Sequence, residues 1–382
     1  MRFIHTGDCH LGGWRIPELQ RLNLEHFKHI VNAAIKEKVD FVLIAGDLFD
    51  SPYPPIDTIK DTFNEFRRLK EAKIPVFLIA GSHDYSVSGK TFLDVLEKSG
   101  FATNVFRYEE KNGNIVLLPT IFKGVAIYGY PGKKSGYEVD EIAKIKIHDS
   151  PGLFRILMLH TTLRDAVKSL PIPAVDEKKL PKVDYVALAH LHLKYERENR
   201  IYCGPSFPNN AAELEELKCG SYYLIDTAGK AERKEIRLKE VFVIDLEIND
   251  AFEASERIKN SLKNTELKEK ILILKLKGIL DRGKISDINL HEIEKFAREK
   301  GVFAFLKNTT KLQSLQSEFK IEFKSDNLEQ EIIKKFRQDN PSKFNEIIPR
   351  LMSVLQVEKK EDETLKVFES RMMDDARKSL AI

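Results

Sequence analysis

Over residues 1 to about 235, apolar positions gather into short unbroken runs separated by amphipathic stretches. The runs Arg2-Phe3-Ile4, Phe41-Val42-Leu43-Ile44-Ala45, Val76-Phe77-Leu78-Ile79-Ala80, Ile156-Leu157-Met158-Leu159 and Tyr185-Val186-Ala187-Leu188-Ala189 are bounded by turn residues. Runs of that length and composition predict buried strands. Residues 18–37 and 58–72 instead show helical spacing, through Leu22, Phe27, Ile30, Val31 and Ala34, and through Ile59, Phe63, Phe66 and Leu69. Pro171-Ile172-Pro173, the segment from Cys203 to Pro208, and Gly220 mark loops. The pattern predicts an α/β fold.

The periodicity changes twice further along. From Val241 the chain reads strand (241–248), helix (251–262), strand (271–277, apolar residues alternating with Lys), helix (288–300) and strand (302–306). From Glu318 onward two amphipathic stripes stand among charged residues. One is Leu328, Ile332, Ile333 and Phe336; the other is Phe344, Ile347, Ile348, Leu351 and Leu355. Helices this short and polar are marginal alone and call for a partner groove. A chain of 382 residues is expected to hold two or three domains, and the pattern divides it at 1–235, 240–312 and 318–382.

Composition narrows the class. No run approaches the ~20 apolar residues of a membrane span and no signal peptide opens the chain. The three cysteines, in no paired spacing, fit a reducing cytoplasm and no disulfide framework. A net charge of +3 excludes a globally basic nucleic-acid coat. Phosphate contacts would come from local groups: Arg15 and Arg21 near Trp14, and Lys133 and Lys134 in a Gly/Tyr-rich stretch.

The chemistry lies where the five apolar runs end. Asp8 and His10 follow the first, Asp47 the second, Ser82-His83-Asp84 the third, His160 the fourth, and His190 and His192 the fifth. Ligands in open α/β sheets collect at the carboxyl ends of strands, so these side chains are expected at one edge. Extended backbone carried past the strand ends would point Asp8 and His10 the same way, and likewise His190 and His192. Half of the ten histidines lie in these motifs; His5, His26, His29, His148 and His291 have no comparable context. Asp and His meeting in such number indicate a site for two metal ions, with Asp47 as the bridging carboxylate and manganese, iron or zinc as suitable ions. Two ions a few ångströms apart suit displacement at phosphorus, and His83 is placed to donate a hydrogen bond or proton to the phosphoryl group.

Asp8-x-His10-Leu11-Gly12, Gly46-Asp47-Leu48-Phe49-Asp50, Gly81-Ser82-His83-Asp84, His160 and His190-x-His192 resemble the calcineurin-like metallophosphoesterases. They resemble more closely the nuclease subunits of the DNA double-strand-break repair complex, of the archaeal meiotic-recombination-eleven or bacterial SbcD type. The resemblance covers residues 1 to about 210. It implies a β-sandwich flanked by helices, a small α/β cap over 240–312 that helps hold DNA, and a C-terminal helical segment that binds an SMC-like coiled-coil ATPase. It implies two Mn2+ per chain, one on Asp8, His10, Asp47 and His192, the other on Asp47, Ser82, His160 and His190, with His83 catalytic. The implied activities are 3′–5′ exonuclease on duplex DNA and endonuclease on single strands, carried by a homodimer. Ser82 stands where the superfamily has Asn, offering a shorter ligand, and Asp50 stands where some relatives carry His. Two other readings share these motifs: a phosphodiesterase or phosphatase for a small molecule, and a non-catalytic DNA-binding scaffold for the ATPase.

Overall fold

The computed structural model describes residues 1–85, 91–168, 170–314, 354, 355, 357 and 365–380. The chain forms two compact units, Met1–Leu315 and Gln316–Ile382.

Unit 1 is built on two six-stranded sheets. In the first, the strands Arg2–Thr6, Phe41–Ile44 and Val76–Leu78 run parallel side by side, and Gly220–Asp226 pairs antiparallel with Arg2–Thr6. In the second, Val125–Tyr130, Phe154–His160, Tyr185–Ala189 and Arg200–Tyr202 are parallel neighbours. The sheets face each other across Phe3, Phe41, Leu43, Phe77, Ile127, Ile156, Met158 and Ala187. Residues of opposite parity point outward. Ile4, Val42, Ile44 and Leu78 pack with Phe27, Ile30 and Phe66 of the helices Pro17–Glu37 and Ile56–Glu71. Tyr128, Leu157, Leu159 and Leu188 form a further cluster on the far face of the second sheet. Burial on both faces is why these strands read as unbroken apolar runs rather than alternating ones. The α/β sandwich with flanking helices is the fold observed; the ligand-bearing edge belongs to two stacked sheets rather than to one open sheet.

A third sheet, of Val241–Glu247, Ile271–Leu280 and Ala304–Ser314, is wholly parallel. Its connecting helices Ala251–Lys263 and Leu290–Glu299 cover one face through Ile258, Leu262, Ile293 and Ala297 against Leu272, Leu274 and Leu276. The opposite face presents Ile271, Ile273 and Ala304 to Trp14, Leu19, Leu22, Phe207 and Leu214 of the sandwich. Lys275 Nζ reaches Glu215 Oε1 at 2.6 Å and Arg298 reaches Glu18 at 3.1 Å across the same seam. Trp14 is buried there and donates its indole N–H to Pro208 O at 3.0 Å.

In the second unit, Leu365–Leu380 is helical. The stripes on Leu328, Ile332, Ile333, Phe336, Phe344, Ile347, Ile348 and Leu351 lie outside the described residues; Leu355 is exposed. Among the described residues no helix is long and apolar enough to cross a membrane.

Candidate metal centre

His160 ends its strand, but the other strands stop short of the candidate ligands and loops place them. Arg2–Thr6 ends two residues before Asp8, and Phe41–Ile44 three before Asp47. Asp8, His10, Asp47 and His190 have φ of 46°, 44°, 48° and 102°. These lie in the left-handed region that Asp and His tolerate better than most residues and that clusters at functional sites. The extended geometry expected after Thr6 and Ala189 therefore does not hold. What fixes the turns is a main-chain zipper: Asp8 N donates to Gly46 O, His10 N to Asp47 O and Leu11 N to Leu48 O, each at 3.0 Å. Gly46 has φ of +100°, and a Cβ there would run into His160 Nδ1; one at Gly81 would run into the Asp47 carboxylate.

The side chains then converge. Asp8, Asp47 and His160 offer ligand atoms within 4.8 Å of one another, as do Asp8, His10 and His192. His160 Nδ1 lies 3.0 Å from Ala45 O. A carbonyl only accepts, so Nδ1 carries the proton. His160 Nε2 faces Asp47 Oδ2 at 3.2 Å and His190 Nδ1 at 3.2 Å. His10 Nδ1 donates to Asp50 Oδ1 at 3.0 Å and His192 Nδ1 donates to Glu213 Oε2 at 2.9 Å. Their Nε2 atoms stand 3.2 Å apart. In neutral imidazoles both would present lone pairs, an arrangement that only a shared proton or cation reconciles. This donor set fits metal ions: imidazole and carboxylate groups, backed at Nδ1 by carboxylates or a carbonyl in the manner of metal-site histidines.

Electrostatics agree. Burial opposes ionisation of Asp47, yet the imidazoles of His160, His10 and His83 outweigh it and hold the carboxyl well below the usual range. Burial pushes His160 down, but Asp47 and then Asp8 more than reverse this, raising it to about 9. His190 is lowered to about 4 by burial and the neighbouring His160. Asp84, wholly buried, is pushed up to about 7 by burial and then by Asp47. Its carboxylate accepts the N–H of Gly81 at 2.8 Å and of Phe49 at 3.1 Å, tying the second and third motifs together.

The third motif lies against the cluster. Ser82 Oγ is 3.4 Å from Asp47 Oδ2, and the N–H of His83 donates to Asp47 Oδ1 at 2.7 Å. The exposed His83 ring lies edge-on to His10, centroids 4.8 Å apart, and donates Nδ1–H to Asp50 O at 3.0 Å. Of the cationic candidates, Arg15, Arg21 and Lys134 are exposed and Lys133 pairs with Glu141 at 2.5 Å.

Glu213 and Asn209 were not among the residues read from the sequence. Asn209 Nδ2 donates to Asp50 Oδ1 at 3.0 Å, and its main-chain N–H donates to Glu213 Oε2 at 2.8 Å. The available signal was Asn210-x-x-Glu213, a helix-start pattern. It does cap the helix Ala211–Leu217, and nothing in it points to His192.

Residues 1–194 match the model of the calcineurin-like phosphoesterase family. The DNA double-strand break repair protein Mre11 of Methanosarcina acetivorans is 27% identical over 325 residues, covering 79% of this chain and 49% of its own. The protein of that name from Methanococcus maripaludis is 28% identical over 282 residues, covering 68% and 74%. The uncharacterised metallophosphoesterase YhaO of Bacillus subtilis is 29% identical over 245 residues, covering 59% and 57%. The chain spans about half the length of the Methanosarcina relatives it matches.

Proposed function

The chain belongs to the calcineurin-like phosphoesterases, and on that premise we propose that it is a two-metal, manganese-dependent DNA nuclease. It acts as a 3′–5′ exonuclease on duplex ends and an endonuclease on single strands. The observation that carries the metal reading is the facing pair of imidazole nitrogens at 3.2 Å, His10 against His192, each already committed to a carboxylate through its other nitrogen. The Mre11 names of the archaeal relatives support DNA as substrate.

Asp8, His10, Asp47 and His192 would hold one ion, and Asp47, Ser82, His160 and His190 the other. When bound, the ions supply Lewis acidity and a water acidic enough to ionise near neutral pH. The remaining work falls to this chain. Asp50 fixes two rings at once, its carboxylate holding His10 and its carbonyl holding His83. With Nδ1–H committed to that carbonyl, His83 keeps Nε2 free to hold or give a proton at a phosphoryl or leaving-group oxygen. Glu213 fixes the tautomer of His192. In the wider assembly, residues 240–312 cap the DNA, 318–382 bind an SMC-like coiled-coil ATPase, and the protein works as a cytoplasmic homodimer.

The test is cleavage of end-labelled duplex and single-stranded DNA with manganese or magnesium, alongside bis-p-nitrophenyl phosphate. His83→Ala is expected to lower the manganese-dependent rate by about 10²–10⁴-fold with metal content retained. Hydrolysis of the small ester with DNA left intact would turn the reading to a small-molecule phosphodiesterase. Hydrolysis of neither, with manganese bound, would leave a DNA-binding scaffold.

A further inference from the structure

Beside the metal centre lies a pocket of about 600 Å³ whose lining includes Tyr85, Phe106, Tyr108, Tyr130, Lys133 and Lys134. That volume is in the range of small-ligand sites. Two of its walls continue directly from the centre. Tyr85 follows Asp84, whose carboxylate anchors the third motif. Tyr130 and Pro131 lead into Gly132, whose N–H donates to Ala80 O at 3.0 Å and whose Cα stands so close to the His160 ring that a Cβ would collide with it. Lys133 N donates to Glu138 Oε2 at 3.3 Å, while Glu138 Oε1 accepts the hydroxyl of Thr161, the residue after His160, at 3.1 Å. The pocket is thus pinned to the metal-ligand loops.

Its chemistry is specific. Phe106 and Tyr108 stack with centroids 5.0 Å apart and planes 19° from parallel, and Phe106 meets Tyr130 edge-on at 5.2 Å. Tyr108 nevertheless stays 46% exposed, so an aromatic surface held flat by its neighbour remains open to solvent. The carboxylates of Glu110 and Glu141 also line the pocket. Glu141 already accepts from Lys133 at 2.5 Å and from the Tyr130 hydroxyl, whereas Lys134 is exposed.

We propose that this pocket receives a nucleobase of the strand being cut, splayed out of its stack next to the scissile phosphate. The proposal rests on the DNA-nuclease reading above. A nucleoside is the group attached to a phosphate at the centre, and it is what an adjoining aromatic pocket would meet. Stacking on Tyr108 accepts any base, because every base has a π-face. The carboxylates accept from exocyclic amino groups, and Lys134 meets the neighbouring phosphate. A base can enter only when unpaired, so the pocket favours single strands and frayed ends over closed duplex.

The test uses the full chain with manganese and three substrates: a single-stranded oligonucleotide, the same strand abasic beside the cut, and bis-p-nitrophenyl phosphate. Base–aromatic stacking sets the scale. Tyr108→Ala should raise the oligonucleotide KM about ten-fold relative to the small-ester KM, and Tyr108→Phe should restore it. The abasic strand should show the raised KM with the unsubstituted protein and lose nothing further in Tyr108→Ala. Equal change in both KM values, no change in either, or Tyr108→Phe behaving as Tyr108→Ala would overturn the pocket. So would an abasic strand cut as well as the intact one, a comparison that needs no variant to fold. Oligonucleotide cleavage insensitive to Tyr108 removes the pocket alone. Small-ester hydrolysis without any oligonucleotide cleavage removes the nuclease reading and the pocket with it.

Discussion

His5 and His160 are both wholly buried histidines in strands of the sandwich, and the chain gives them opposite charge preferences. His5 lies between the sheets, its Nδ1 2.7 Å from the Tyr185 hydroxyl, and burial pushes it down to about 3. His160 feels the same burial, yet the carboxylates of Asp47 and Asp8 lift it to about 9. The difference lies in what the loops bring. His5 sits inside its strand, where neighbours are apolar, whereas His160 ends its strand at the edge where the left-handed turns gather carboxylates. Burial by itself yields a core residue; burial together with converging charge yields a site that a cation can complete.

Removing that charge breaks the comparison most severely. In Asp47→Ala, His160 loses its nearest counter-charge and its pKa falls toward that of His5, with Asp8 and the Ala45 carbonyl left to hold it up. Both ion positions share Asp47 in the proposed arrangement. Metal content should therefore collapse, and hydrolysis should fall by more than the about 10²–10⁴-fold assigned to a single proton-transfer group. Metal analysis after dialysis, with rates on the small ester, reads both quantities. A variant that still held two ions would show that Asp47 does not bridge.

A smaller change separates the histidines of the centre from each other. His160 is oriented by a main-chain carbonyl, His192 by the Glu213 carboxylate. Glu213→Ala removes a partner that a side-chain substitution can reach, and loss of such a partner typically weakens metal binding by about 10–100-fold. Glu213→Gln still accepts from Nδ1–H and should fall between. Titration of metal-free protein with manganese decides it: affinity unchanged in Glu213→Ala would mean that packing alone holds the His192 ring.

The same contrast shows what was legible in the sequence. The strands were, because burial on both faces writes unbroken apolar runs, and so was the gathering of the candidate ligands at or just past their ends. His5 offered no companion motif and is indeed a core residue, whereas His160 was recognisable only in the company of the other four clusters. The backbone at Asp8 and His10 was not legible. Their φ values come from pairing with the Gly46–Leu48 segment, a long-range contact that no local pattern records. Glu213 stayed hidden for the related reason that its sequence context encodes a helix cap, while its tie to His192 arises from tertiary folding. Trp14 reads as a neighbour of surface arginines, yet it closes the seam between the sandwich and the third sheet.

The mildest test reads the two histidines through stability. The folded pKa of His5 lies below the unfolded value near 6.5. Below pH 6.5 the unfolded chain takes up a proton that folded His5 refuses until about pH 3. Its contribution is complete above pH 6.5 and is lost at about 1.4 kcal/mol per pH unit as the solution is acidified. His26 and His190, each lowered to about 4 chiefly by burial, add to the same slope, while Asp84, raised to about 7, runs against part of it. The folded pKa of His160 is raised, so its contribution is complete below pH 6.5 and is lost as pH climbs toward 9. Urea unfolding of metal-free protein from pH 5 to 9 should therefore show stability falling on both sides of neutrality. His5→Asn should make the acid limb shallower and leave the alkaline one; Asp47→Ala should flatten the alkaline limb and steepen the acid one, as His160 joins His5. An acid limb that survives His5→Asn at full slope would mean that the core does not hold that imidazole neutral, and the contrast with His160 would lose one of its two sides.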